Sequence, residues 1–80
     1  MQISVRYFAA AKDAVGHADE RLDVDEGATV ADIRALLQGN PALAKVLKRS
    51  RLAVDQRFVD ESSVVVAGAE VAVIPPVAGG

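Results

Sequence analysis

Four apolar residues in succession, Val71-Ala72-Val73-Ile74, follow Glu70 and are stopped by Pro75 and Pro76. Such a run reads as a β-strand covered on both faces, and a strand of that kind belongs in the middle of a sheet. The two prolines end it, because each removes a backbone donor that a further ladder bond would need. With 80 residues the chain buries only roughly 60–65% of its unfolded surface, so there is room for one core and one domain. The remaining elements must therefore wrap this strand.

Gln2 to Phe8 alternates Ile3, Val5 and Tyr7 against Gln2, Ser4 and Arg6, which places the apolar set on one face of a first strand. Ala9 to Asp19 reads as a connection with one helical turn, stopped at Gly16. Glu20 to Asp25 alternates again and forms a second strand, antiparallel to the first. Thr29 stands at an N-cap position with Asp32 three residues on, a variant of the capping box. Val30, Ile33, Leu36 and Leu37 then follow at helical spacing, and Gly39-Asn40-Pro41 closes the helix near Gln38, through residues that favour a left-handed cap and then forbid continuation. Leu43, Val46 and Leu47 mark a second, shorter helix; Arg51 to Asp55 and Arg57 to Val59 read as short strands, and Val64 to Ala67 as a strand or the approach to a turn. Two strands, helix, and a last strand returned to the middle give an α+β fold, the β-grasp (ubiquitin-like) arrangement: a mixed sheet with one main helix and a short second helix. Residues 1–74 form the domain and 75–80 an extended tail.

Composition removes most chemistry from the domain itself. There is no cysteine, and His17 is the single histidine, read as a solvated loop residue; thiolate catalysis and the usual zinc sets are excluded. The serines have no partnered base at recognisable spacing, and the glycines do not spell a phosphate-binding loop. A net charge of −2 offers no broad positive field for nucleic acid. The acidic run Asp19, Glu20, Asp23, Asp25, Glu26 reads as the charged outer face of an edge strand. The basic group Lys45, Lys48, Arg49, Arg51 reads as a solvated helix end. Val71 to Gly80, a stretch without a charge that no other in the chain exceeds, is far short of the ~20 residues of a membrane span. With no secretory apolar block near Met1, the expected location is the cytoplasm.

The tail is different. Pro75, Pro76, Val77, Ala78, Gly79 and Gly80 make an arm of small residues that spans at most ~20 Å, enough to enter a deep site on another protein. The missing Cβ of glycine lets the tip pass a constriction and leaves the terminal carboxyl carbon open to attack. A carboxylate is a poor electrophile, so chemistry at Gly80 requires activation, ordinarily by ATP-dependent adenylation. The chain carries no ATP site of its own.

The residues quoted so far resemble the small, sulfur-carrier subunit of molybdopterin synthase, among the ubiquitin-like sulfur carriers. The resemblance rests on Tyr7, Phe8, Ala9, Lys12, Asp13 and Gly16, on Leu52 to Gln56 with Phe58 and Val59, and above all on Gly68 to Gly80 with its Pro-Pro-Val and Gly-Gly. Asp55 stands where that family often has Asn, and Gly68-Ala69 where it has a Gly-Asp turn. The resemblance implies that an activating enzyme adenylates Gly80, that sulfur then replaces the adenylate as a thiocarboxylate, and that the tail enters the synthase large subunit. There sulfur would pass to cyclic pyranopterin monophosphate, within an assembly of two small and two large subunits. No cofactor is expected to bind stably; ATP is used by the activating partner, and neither nucleic acid nor membrane is expected as a partner. A carrier serving thiamine or another thiolated product, a modifier joined to lysines through Gly80, and a plain interaction domain are the alternatives.

Overall fold

In the computed structural model, which describes residues 1–76, the elements in chain order are β1 (Gln2–Tyr7), α1 (Ala9–Val15), β2 (Asp19–Asp23), α2 (Val30–Gln38), α3 (Pro41–Arg49), β3 (Arg51–Val54), β4 (Arg57–Phe58) and β5 (Glu70–Ile74). The five strands form one mixed sheet in the order β2-β1-β5-β3-β4. β5 lies in the centre as its apolar run requires, parallel to β1 through Val5↔Val71 and Tyr7↔Val73 and antiparallel to β3 through Leu52↔Val73. β1 and β2 form the expected antiparallel pair, with Ile3 opposite Leu22.

The period-two pattern sends Ile3, Val5, Tyr7, Leu52, Val71 and Val73 into the core, where they meet Val30, Ile33 and Leu37 of α2 and Leu43 and Leu47 of α3. The helical spacing puts those α2 residues on one face. Leu36 is the exception: it was expected on the buried stripe, but at 56% exposure it sits on the solvent side of α2.

Two helices differ from expectation. The β1–β2 connection holds a seven-residue helix rather than one turn, closed at Gly16, whose φ of 84° gives the left-handed cap and whose N–H donates to the Lys12 carbonyl. α3 has nine residues, as many as α2. Their junction does not use a left-handed cap: Gly39 keeps helical angles, and Asn40 is extended. Pro41 disfavours a helical conformation for the residue before it, then serves as the first residue of α3, with the Asn40 side chain accepting from the Ala42 N–H. The Thr29–Asp32 capping box is present in both directions.

Arg34 ties these pieces together. From α2 its guanidinium donates to the Leu47 and Ser50 carbonyls, at 2.7 and 3.2 Å, satisfying acceptors at the end of α3. The same group makes a forked pair with Glu61, at 2.8 and 3.2 Å, which holds the β4–β5 connection against α2. Arg34→Ala frees those carbonyls and the loop together, and is expected to cost about 2–3 kcal/mol. Glu61→Ala, which removes only a half-exposed partner, should cost under about 1 kcal/mol. Urea titrations of both variants check the ordering; equal losses would show that the carbonyl bonds contribute nothing.

Candidate functional site

The helices cover one face of the sheet only. The expectation that β5 is covered on both faces is therefore corrected: Val71 and Val73 are in the core, whereas Ala72 and Ile74 point to the opposite, outer face. Apolarity at every position is equally compatible with one core face and one apolar outer face.

Register shows what surrounds them. Ala72 lies beside Arg6 on β1 and Ala53 on β3, Ala53 lies beside Phe58 on β4, and Ile74 lies beside Arg51. Phe8 continues β1 at the same end, its N–H donating to the Val73 carbonyl. Phe8 and Phe58 are exposed at 40% and 51%. Ala53 and Ala72 are buried yet do not belong to the core cluster. Two arginines lie on the two aromatics: Arg6 is 5.3 Å from the Phe8 ring centre and Arg51 is 3.8 Å from that of Phe58, a favourable cation–π arrangement. The outer face is thus amphipathic. Its β3–β4 side carries Phe58 and Ala53 beside Ala72 and Ile74, with Arg51 among them, and its β1–β2 side carries Ser4, Arg6, Asp19 and Arg21, with Glu70 at the start of β5.

The β3–β4 hairpin that presents Phe58 turns through Asp55 and Gln56, both with positive φ (48° and 69°), as a two-residue type I′ turn requires. Asp serves there in place of Asn: its Oδ1 accepts from the Glu70 N–H at 3.0 Å and its own N–H donates to the Glu70 carbonyl at 2.8 Å. The turn is therefore pinned to the start of β5. Ala9, next to Phe8, also has a positive φ, 47°, a left-handed geometry that costs an alanine about 1–2 kcal/mol.

Of the residues assigned to the tail, Pro75 is buried and Pro76 exposed, so the chain leaves the body at Pro76. Val77, Ala78, Gly79 and Gly80, and the arm expected there, lie outside the described residues. His17, read as a plain loop residue, packs edge-on against Tyr7 with ring centres 5.7 Å apart and places Nε2 3.4 Å from Glu20. The Tyr7 hydroxyl donates to the other Glu20 oxygen. Nothing in the spacing of Tyr7, His17 and Glu20 announces this cluster; it follows from the β1–β2 register, which brings Glu20 beside β1. Among the described residues, no three potential ligands gather as a metal site and no helix is long and apolar enough to cross a membrane.

These features define a class: a single β-grasp domain whose central strand runs past an amphipathic outer face into its C-terminal segment. The ThiS family model matches residues 5–80. The sulfur carrier subunit of molybdopterin synthase from Chlamydomonas reinhardtii is 35% identical, with 100% of both chains covered. Its counterpart from Caenorhabditis elegans is 37% identical, over 100% of this chain and 99% of the relative. Among solved structures, SAMP1, small archaeal modifier protein 1, from Haloferax volcanii superposes with a TM-score of 0.86 at 29% identity over 100% of both chains. The chain belongs to the ThiS family, together with the molybdopterin synthase sulfur carrier subunits.

Burial first, then the hydrogen bond to Glu20 and its negative charge, push the Tyr7 hydroxyl well above the usual phenol range. The raised value favours the neutral phenol in the folded state. Its contribution to stability is full below the unfolded phenol's pKa of about 10 and is lost as pH rises beyond that. Tyr7→Phe removes the titrating group. The stability difference between wild type and Tyr7→Phe should therefore be constant from neutral pH to about pH 10 and shrink above it; a difference that does not change with alkaline pH contradicts this role.

Proposed function

We propose that this chain is the sulfur-carrier subunit of a molybdopterin synthase, with the Gly80 carboxyl as its working group. One observation carries the reading: full-length likeness to molybdopterin synthase sulfur carrier subunits, in a fold that aims its last strand past an exposed apolar face toward the Pro-Pro-Val-Ala-Gly-Gly end. In this reading a Gly80 oxygen attacks the α-phosphorus of ATP held by an activating enzyme, and pyrophosphate leaves. A sulfur nucleophile next attacks the acyl carbon, AMP leaves, and Gly80 becomes a thiocarboxylate. The tail then enters the large subunit, where the thiocarboxylate sulfur bonds to a carbon of cyclic pyranopterin monophosphate. Water cleaves the resulting thioester to return the Gly80 carboxylate, and two such transfers supply the two sulfurs of the dithiolene of molybdopterin.

The domain's share is positional. Phe8, Ile74 and Phe58 offer an apolar surface whose burial would drive docking, and β5 sets where the tail begins. Gly80 is then a tethered substrate, and the catalytic side chains belong to the partners: the activating enzyme and a large subunit in a two-plus-two assembly. The chain needs no stably bound cofactor, only the ATP its activating partner consumes. A cytoplasmic location fits partners of this kind.

Intact mass of the chain isolated from its own cells, or treated with its activating enzyme, ATP and a sulfur donor, should show a fraction heavier by the exchange of one oxygen for sulfur. Carboxylate alone under both conditions overturns the proposal. The likeness to small archaeal modifier protein 1 favours a second reading, in which Gly80 is joined to lysines of other proteins. It requires a Gly-Gly remnant on target lysines after proteolysis, and the absence of any remnant removes it.

A further inference from the structure

The charges of this chain are sorted into an acidic group and a basic group. Asp19, Glu20, Asp23, Asp25 and Glu26 lie on β2 and the segment after it, with Arg21 the one cation among them. Lys45, Lys48, Arg49, Arg51 and Arg57 lie on α3, β3 and β4, with Asp55 the one carboxylate between the first and the last. The strand order places β2 at one edge and β4 at the other. Three inter-strand spacings separate β2 from Arg51 on β3 and four separate it from Arg57 on β4, roughly 14 and 19 Å, well beyond the ~8 Å over which physiological salt screens a charge. The two poles therefore do not neutralise each other.

Local pairing does not neutralise the basic pole either. Among the described residues, none of its five cations has a carboxylate oxygen within 4.0 Å. Asp55 is held by the Glu70 N–H and Glu61 by Arg34. The helix dipole accounts for Lys48 and Arg49 in the last turn of α3, but Arg51 and Arg57 lie beyond the helix and Lys45 at its middle. Arg51 also joins this pole to the β3–β4 side of the outer face, since it is stacked on Phe58 and sits opposite Ile74. α3 runs through Ser50 directly into β3, so Lys48 and Arg49 lie within three residues of Arg51, near the end of the sheet where β5 stops.

We propose that the basic group at the α3–β3 junction is the second half of the docking surface, and that the protein receiving the tail presents an acidic surface against Arg51, Lys48 and Arg49. This rests on the carrier reading, which makes the outer face the docking face. Opposite charges speed encounter. They also select orientation: a partner rotated by half a turn sets its acidic surface against the acidic β2 edge and is repelled. A tail of fixed length needs that selection, because it reaches the partner's site only when the domain docks one way round.

The test is the association of the full chain with its cognate large subunit, followed by stopped-flow fluorescence at about 20 mM and about 0.5 M salt. The double variant Lys48→Glu/Arg49→Glu and the single variant Arg51→Glu should each associate about tenfold or more slowly at low salt, with the deficit falling to within about twofold at high salt. Arg51→Gln should fall between wild type and Arg51→Glu. The substituted side chains are exposed, but Lys48 and Arg49 lose a favourable interaction with the helix dipole and Arg51 its stack on Phe58. Melting points should therefore drop by roughly 5–10 °C at most, and association measured below the onset of melting separates binding from folding. Wild-type-like or faster association of the charge-reversed chains overturns the acidic-partner proposal and leaves the carrier reading standing. Failure of the wild-type chain to bind the large subunit at either salt overturns both.

Discussion

Parallel pairing of β5 with β1 is the constraint on which the rest of this molecule depends. Two parallel strands cannot be joined by a tight turn, so the chain between them must cross the sheet, and here that connection carries α1, β2, α2, α3, β3 and β4. Parallel pairing also decides direction. β1 and β5 end at the same edge of the sheet, Phe8 beside the Val73 carbonyl and Pro75 just beyond Ile74. The exposed aromatic and the start of the C-terminal segment are neighbours because the two strands run the same way. An antiparallel β5 would send its end to the opposite side, away from Phe8.

The core that supports this geometry is built mainly of Val, Leu, Ile and Ala, with Tyr7 as its one aromatic member. No disulfide reinforces it, so polar contacts at the ends of elements matter more than their number suggests. Arg34 closes the end of α3 and the β4–β5 connection with one side chain. Tyr7 and Glu20 join the end of β1 to β2, with His17 packed against them. Asp55 fastens the β3–β4 turn to the start of β5. Each contact lies where a strand or helix stops, and two of them hold the strands that present the amphipathic outer face.

Much of the fold was legible because its signals are local. Alternation in Gln2 to Tyr7, the Thr29–Asp32 capping box, Gly16 and the apolar run into Pro75 each act over a few residues, and each element formed where the pattern placed it. What was not legible depends on partners distant in sequence. The exposure of Leu36 and the outward direction of Ala72 and Ile74 are set by how many layers cover the sheet, which an apolar run does not encode. Asn40 and Pro41 were read as a stop, but they also start α3, because the same restriction of the residue before proline serves both purposes. The Tyr7–His17–Glu20 cluster and the fourfold contact of Arg34 arise from register and helix packing. The terminal Gly-Gly was visible at once; the apolar face that leads to it required the strand order.

In this account the domain is a gauge: it docks through one face and holds Gly80 at a set distance from that face. The most direct test lengthens the gauge without altering either end. With two glycines inserted between Pro76 and Val77, the chain should bind the large subunit with an affinity within about twofold of wild type, because the docking face is unchanged. Sulfur transfer from the thiocarboxylated variant should fall by about a hundredfold or more, since a small misplacement of the reacting group already costs about that much. Transfer at the wild-type rate by the lengthened chain would contradict the account, because the separation between face and tip would then not matter.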